Sequence, residues 1–209
     1  MHTNEMELLV LNRRATLRCV ELVCQARPED LTRRTPCAAW DLGDLLAHMT
    51  VQHRGFAAAA AGNGAEFDWA PYGVGADYAE QYAAAAGEAL RAFDEPGALD
   101  RPFALPEIPA APSFSGAQAV RFHFIDAVVH GWDVARSLGL DYELPGDFAE
   151  SAVGIALAVP GGAYRERPGA AFGPVRGSAG SAAGAASSLE VVLRALGRSP
   201  KWPDGTDES

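Results

Sequence analysis

Two separated stretches of this chain carry chemically useful residue types at helical spacing. In Ala119-Val-Arg-Phe-His-Phe-Ile-Asp-Ala-Val-Val-His-Gly-Trp-Asp-Val, residues His123, Asp126, His130 and Asp133 fall at offsets 0, 3, 7 and 10. That spacing places them on one stripe of a helix whose remaining surface is largely apolar, so the helix should be central and buried. Buried polar groups without partners cost about 1–3 kcal/mol each, and a lone carboxylate costs more. Asp126 and His130, four apart, project from one face and can grip a divalent ion through a carboxylate oxygen and an imidazole nitrogen. The natural third ligand is His48, a single histidine in the apolar stripe Leu45, His48, Met49, Gln52, Phe56. Two histidines and a carboxylate leave coordination positions open for water and substrate, as catalytic sites require. His53, five residues on, points elsewhere. The plainer reading is that each histidine is a hydrogen-bonded core residue, with Asp126 orienting His123 or closing a buried polar network. Asp-x3-His alone is a weak motif, and the convergence of several polar residues on one apolar helix is what favours metal.

The elements that position these residues are helices. A first helix is predicted over about 4–26, with Leu8, Leu11, Ala15, Leu22 and Ala26 at helical spacing and Pro28 beyond its end. Asp41 is the expected N-cap of a second helix running to about residue 61, with Asp44 as the capping-box carboxylate and Gly62-Asn63-Gly64 stopping it. Trp40 should pack the preceding connector onto this helix. A third helix is expected over 77–93, a fourth over 115–138 ended by Gly139, a fifth over 148–159 and a short last one over 188–196. Between the third and fourth lies a connector with Pro96, Pro102, Pro106, Pro109 and Pro112, with one short extended piece at 101–105. Connectors of that length often line a site. Residues 161–187 read as a flexible Gly/Ala/Ser loop, and the tail from Trp202 should fray.

Composition narrows the function. The 209 residues, 48% hydrophobic and 21% charged, describe an ordinary globular protein able to bury a core. The net charge of -10 disfavours a nucleic-acid or anionic-membrane surface, which needs clustered Lys and Arg. Cys19, Cys24 and Cys37 are odd in number and lack a CxxC pair, as expected of reduced thiols in a cytoplasmic protein. Cys37, beside Pro36, is either a packing thiol or a nucleophile. No secretory leader or membrane span is read. A nucleophile-elbow Gly-x-Ser-x-Gly between strand and helix is missing, as are phosphate-binding glycine loops.

With these residues in view, the chain resembles a known family. Thr35-Pro36-Cys37-Ala38-Ala39-Trp40-Asp41-Leu42-Gly43-Asp44-Leu45-Leu46-Ala47-His48 is similar to the N-terminal signature of the mycothiol-dependent maleylpyruvate isomerase family, within the DinB-like superfamily of metal-binding four-helix bundles. Leu105-Pro106 to Pro109, and then His123 through Ala135, resemble its second signature. Phe172-Gly173-Pro174 and Leu196 through Trp202 are similar to the ending of a small metal-binding branch. The resemblance implies an all-α, DinB-like four-helix bundle with extra C-terminal helices: a bundle over 1–140 and a helical extension over 141–209 packed on it. It implies a divalent ion, commonly zinc, held by His48, Asp126 and His130. The isomerase pattern has Glu where this chain has Asp126, one methylene shorter, which bears on metal affinity, metal identity and isomerase activity. His123 is then a catalytic general base, a fourth ligand or a group behind the ligands, and Asp133, one turn along, a partner that orients them.

The function so implied is a metal-dependent isomerase or thiol S-transferase. It would use a low-molecular-weight, mycothiol-like thiol as cosubstrate on a small electrophilic molecule, as a monomer or homodimer. The alternatives are a non-catalytic metal or small-molecule binder with the same ligands, and a metal-assisted hydrolase or cyclase in which water replaces the thiol.

Overall fold

The computed structural model describes residues 5–37, 39–108, 110–166, 172–177 and 187–203. Four helices, α1 (Glu5–Val23), α2 (Leu42–Ala60), α3 (Tyr78–Phe93) and α4 (Gly116–Ser137), surround a common core, with α1 packed on α4 and α2 on α3. Their directions follow from the pairs they bring together. Asn12 meets His123 and Cys19 meets Ala127, so α1 and α4 run parallel. His53 meets His123 and His48 meets His130, so α2 opposes α4. Arg54 meets Gln81 and Phe56 meets Phe93, so α3 runs with α2. The link from α2 to α3 must therefore cross the length of the bundle. Trp69 holds that link down, its ring seated where a Cβ on Gly55 would come within 2.4 Å and its indole N–H donating to the Gly64 carbonyl.

Local sequence explains the helix starts. Asp41 accepts from the Asp44 amide, and the Asp44 carboxylate reaches back to the Asp41 N–H, closing the expected capping box on α2. Ser115 and Gln118 do the same for α4. The first helix stops at Val23 rather than at residue 26, since the turn Pro28–Asp30 needs extended backbone at Arg27 before it. The proline-rich connector contains an antiparallel pair, β1 (Pro102–Phe103) with β2 (Phe114–Ser115), of which only the first was legible in the sequence. Gly116 then enters α4 so close to Ala98 that a Cβ would lie 1.9 Å from its carbonyl oxygen.

After α4 come α5 (Gly146–Ala158), packed on α4, and α6 (Ser188–Ala195), packed on α5. The expected flexible loop contains a short 3-10 turn at Gly162–Glu166. There Arg165 donates to the carbonyls of Pro160, Val159, Gly173 and Ala195 and ties the C-terminal segments together. The rest of that loop, at 167–171 and 178–186, lies outside the described residues, as does 204–209 of the tail. Trp202 itself does not fray: it packs against the core and its carbonyl accepts from Arg136 at 3.0 Å. Among the described residues, no helix is long and apolar enough to cross a membrane.

Candidate metal centre

His48 reaches the bundle axis from α2, while Asp126 and His130 reach it from successive turns of α4. One ligand atom from each lies within 4.8 Å of the other two. His130 Nε2 stands 3.3 Å from an Asp126 carboxylate oxygen, about the edge of a tetrahedron with metal–ligand bonds of about 2.0–2.1 Å. The His48 ring meets His130 at 75°, centroids 5.3 Å apart, and Trp40 packs on His48 at 4.7 Å. His130 is buried, whereas Asp126 and His48 keep partial access to solvent. The cluster therefore has an open side.

The other nitrogen of His130 is also committed. Its Nδ1 lies 2.9 Å from Asp133 Oδ2. Burial works against the Asp133 charge, but Arg198 overcomes it first and His130 second, and the carboxyl is held at about 2. A carboxylate only accepts, so Nδ1 carries a proton for Asp133; the Nε2 proton points to Asp126, and it is this one that an ion held by Nε2 would displace.

Cys37, His130 and Asp133 form a second convergence of potential ligand atoms. Its cation is already present in the protein. Arg198 donates from Nη2 to Asp133 Oδ2 at 2.9 Å and from Nε to Oδ1 at 3.3 Å. The same Nη2 lies 2.9 Å from Cys37 Sγ, whose thiol in turn donates to Asp133 at 3.2 Å. A guanidinium fork on a wholly buried carboxylate occupies the place a metal would take. This second group holds His130 in place through Asp133, and the first group is the convergence of donor atoms that has no arginine in it.

Charge favours the convergence of the three tips. Burial disfavours the imidazolium of His130, yet Asp126, by charge and by hydrogen bond, and Asp133 hold its pKa well above the ordinary value. Burial likewise opposes the Asp126 charge, and His130 beside it keeps the carboxyl well below the usual range. His48 goes the other way: burial first and His130 second bring it down to about 4. A protonated His130 is thus a stand-in for a cation, and the donor set of one carboxylate oxygen and two imidazole nitrogens suits zinc or a similar divalent ion.

One turn along α4, His123 lies outside this cluster. Its Nδ1 is 2.7 Å from Asn12 Oδ1 and its Nε2 is 2.8 Å from His53 Nδ1, so both nitrogens are engaged within the core. Burial lowers His123 to about 4 and, with His123 adding to it, brings His53 well below the ordinary histidine value. Sequence reasoning set His53 apart from His48 without finding this pairing. It also gave Arg198 no role: the residue lies in the Leu196–Trp202 stretch of the resemblance, but one of several basic residues in a short C-terminal segment has no periodicity to announce its contact with Asp133.

These shifts fix an acid response. His48, His123 and His53 are neutral in the fold and protonate in the unfolded chain below about 6.5, so each makes the fold less stable as pH falls from 6.5 toward 4. A histidine held at about 4 accounts for roughly 3 kcal/mol of that loss. His130, raised above its unfolded value, works in the opposite direction, but it is one group against three. The metal-free protein should lose denaturant stability steadily between pH 6.5 and 4, before its carboxylates titrate. A flat urea midpoint across that window would contradict the neutral core histidines.

The fold and the polar centre define an all-α, DinB-like four-helix bundle with a carboxylate–histidine cluster on its axis. Residues 13–135, more than half of the chain, match the family described as mycothiol maleylpyruvate isomerase N-terminal domain, and the chain belongs to that family. Uncharacterized proteins of two Mycobacterium tuberculosis strains, CDC 1551 / Oshkosh and ATCC 25618 / H37Rv, are each 28% identical over 162 residues, covering 77% of this chain and 83% of their own. The chain is also similar to two crystal structures of the mycothiol-dependent maleylpyruvate isomerase. One is of a histidine-to-alanine mutant, with a TM-score of 0.61, and the other has a TM-score of 0.53. Each is 12% identical and covers 75% of this chain and 72% of that chain, a likeness of fold.

Proposed function

We propose that this protein is a metal-dependent enzyme that uses a low-molecular-weight thiol of the mycothiol kind to isomerise or conjugate a small electrophilic molecule. The observation that carries the reading is the open-sided cluster of His48, Asp126 and His130, with His130 Nδ1 spent on Asp133 so that Nε2 faces its two neighbours. Family membership supplies the chemistry that this cluster would serve.

His48, Asp126 and His130 would hold the ion, with zinc the best match to the donors. When bound, the ion supplies the Lewis acidity that makes a thiol into a thiolate at neutral pH. The remaining work falls to the chain. Asp133 fixes the His130 tautomer and ring angle, and Arg198 and Cys37 fix Asp133. His48, kept neutral by burial, has its lone pair available near pH 7. Trp40 packs over the His48 ring and helps hold it in place.

The test is turnover of maleylpyruvate and of simple electrophilic alkenes and halides, with mycothiol added or withheld. Thiol-dependent turnover that disappears in His48→Ala, with an unchanged circular-dichroism spectrum, is expected. Equal turnover without thiol would transfer the site to water-based hydrolysis, and metal binding with no turnover would leave a binding protein.

A further inference from the structure

The proposed ligands come from two helices that are not each other's main partners. α2 packs on α3 and α4 on α1, so His48 has to be brought to Asp126 and His130 across the bundle. Apolar contacts fix such a height poorly, whereas a single buried polar connection can specify it. One such connection spans the bundle. Asn12 of α1, His123 of α4 and His53 of α2 are all buried and joined in series. His123 Nδ1 stands 2.7 Å from Asn12 Oδ1, and His123 Nε2 stands 2.8 Å from His53 Nδ1. We propose that this chain is the register pin of the metal centre, with His53 and His123 as positioning residues that set the height of His48 against Asp126 and His130. The inference rests on the metal-centre part of the reading above and is independent of the thiol.

The direction of each bond follows from its partners. The Asn12 amide oxygen only accepts, so His123 Nδ1 carries the proton of that neutral ring, and Nε2 accepts from His53 Nδ1. Phe56 and Phe93 meet the His123 ring edge to face at 5.0 and 5.1 Å, and Tyr82 meets His53 at 5.1 Å. Apolar rings thus hold the pair from its sides.

Counting along each helix gives the consequence. From the His53–His123 contact, His48 lies five residues back along α2, about 7.5 Å at the helical rise. In the same direction along the antiparallel α4, Asp126 lies three residues on and His130 seven, about 4.5 and 10.5 Å. The pin therefore sets His48 level with the midpoint of the other two, where one ligand atom of each comes within 4.8 Å of the rest. A slip of α2 by one turn, about 5.4 Å, would carry His48 past one or the other. The ends of the chain, Asn12 Nδ2 and His53 Nε2, find no hydrogen-bond partner among the described residues. Buried polar atoms of that kind cost stability, so an apolar replacement of similar shape should leave the fold at least as stable. That separates a registering role from a merely structural one.

Cobalt(II) binding to the full-length protein without thiol reads the site through the d–d bands of the ion. In the triple variant Asn12→Val, His53→Leu, His123→Leu the polar chain is gone and the packing volume is roughly kept. Free of metal, it should melt no lower than the metal-free wild type. It should bind cobalt at least about tenfold more weakly, with altered bands. His53→Asn keeps an N–H where Nδ1 stands and should retain wild-type bands and near wild-type affinity, whereas His53→Leu should lose both. Wild-type affinity and bands in the triple variant, or in His53→Leu should the triple not fold, overturn the pin and leave the metal centre standing. Equal losses in His53→Asn and His53→Leu overturn it too, since His53 would then act by packing alone. A wild-type protein that takes up no cobalt overturns the pin and the metal centre together.

Discussion

His130→Ala, purified without chelator, should carry less than about a tenth of an equivalent of divalent metal where the wild type carries about one, and zinc should no longer raise its melting temperature. The size of the effect follows from the two-sided use of this ring. Nε2 faces Asp126 at 3.3 Å while Nδ1 is held by Asp133 at 2.9 Å, so the ring is held in place from both sides, and His53 and His123 are engaged with each other in the core. Its removal also leaves two carboxylates with less positive charge between them, so the metal-free variant should be less stable than the metal-free wild type. His48→Ala makes the useful contrast. It should lose metal as well, since three ligands become two, but it leaves the Asp133–Arg198 pair untouched and should cost less stability. Atomic-absorption analysis and thermal melts with and without zinc read both outcomes. A His130→Ala protein that keeps a full equivalent of metal would end the assignment of the cluster.

How much of this could be seen in the chain beforehand depends on whether the information is local. The capping box at Asp41 and Asp44, the stop at Gly62 and the polar stripe on α4 are written within a few residues of where they act, and the helices they imply are present. The proposed ligand trio is partly local as well: Asp126 and His130 share one helical face, and His48 is the one histidine in a largely apolar stripe. What was hidden is pairing between distant segments. Nothing near residue 198 says that a guanidinium will reach Asp133, because that contact depends on how the segment after α6 returns over α4. The His53–His123 hydrogen bond depends on the relative height of two antiparallel helices, which side-chain spacing within either one does not set. The connector's β1–β2 pair was half visible for the same reason, since Phe114 and Ser115 carry no strand pattern until Pro102 and Phe103 lie beside them.

Arg198→Ala should be the most damaging substitution outside the ligand trio. It strips the charge partner from a carboxylate that is wholly buried, and an uncompensated buried charge costs about 3–5 kcal/mol. For a chain of this size that corresponds to a fall in melting temperature of roughly 10 °C. A second effect should be separable from the first. Asp133 orients His130, and loss of a partner that orients a ligand typically weakens metal affinity by about 10–100-fold. The double substitution Arg198→Ala with Asp133→Asn distinguishes them, because the neutral amide no longer needs a cation while it still fails to hold His130 as a carboxylate does. Stability should recover in the double variant and zinc affinity should stay low. Arg198 lies past the matched span of 13–135, so this result would show that the segment after α6 completes a centre whose ligands all come from α2 and α4. Were zinc affinity unchanged in both variants, Arg198 would be a packing residue and the orientation of His130 would have to come from α4 alone.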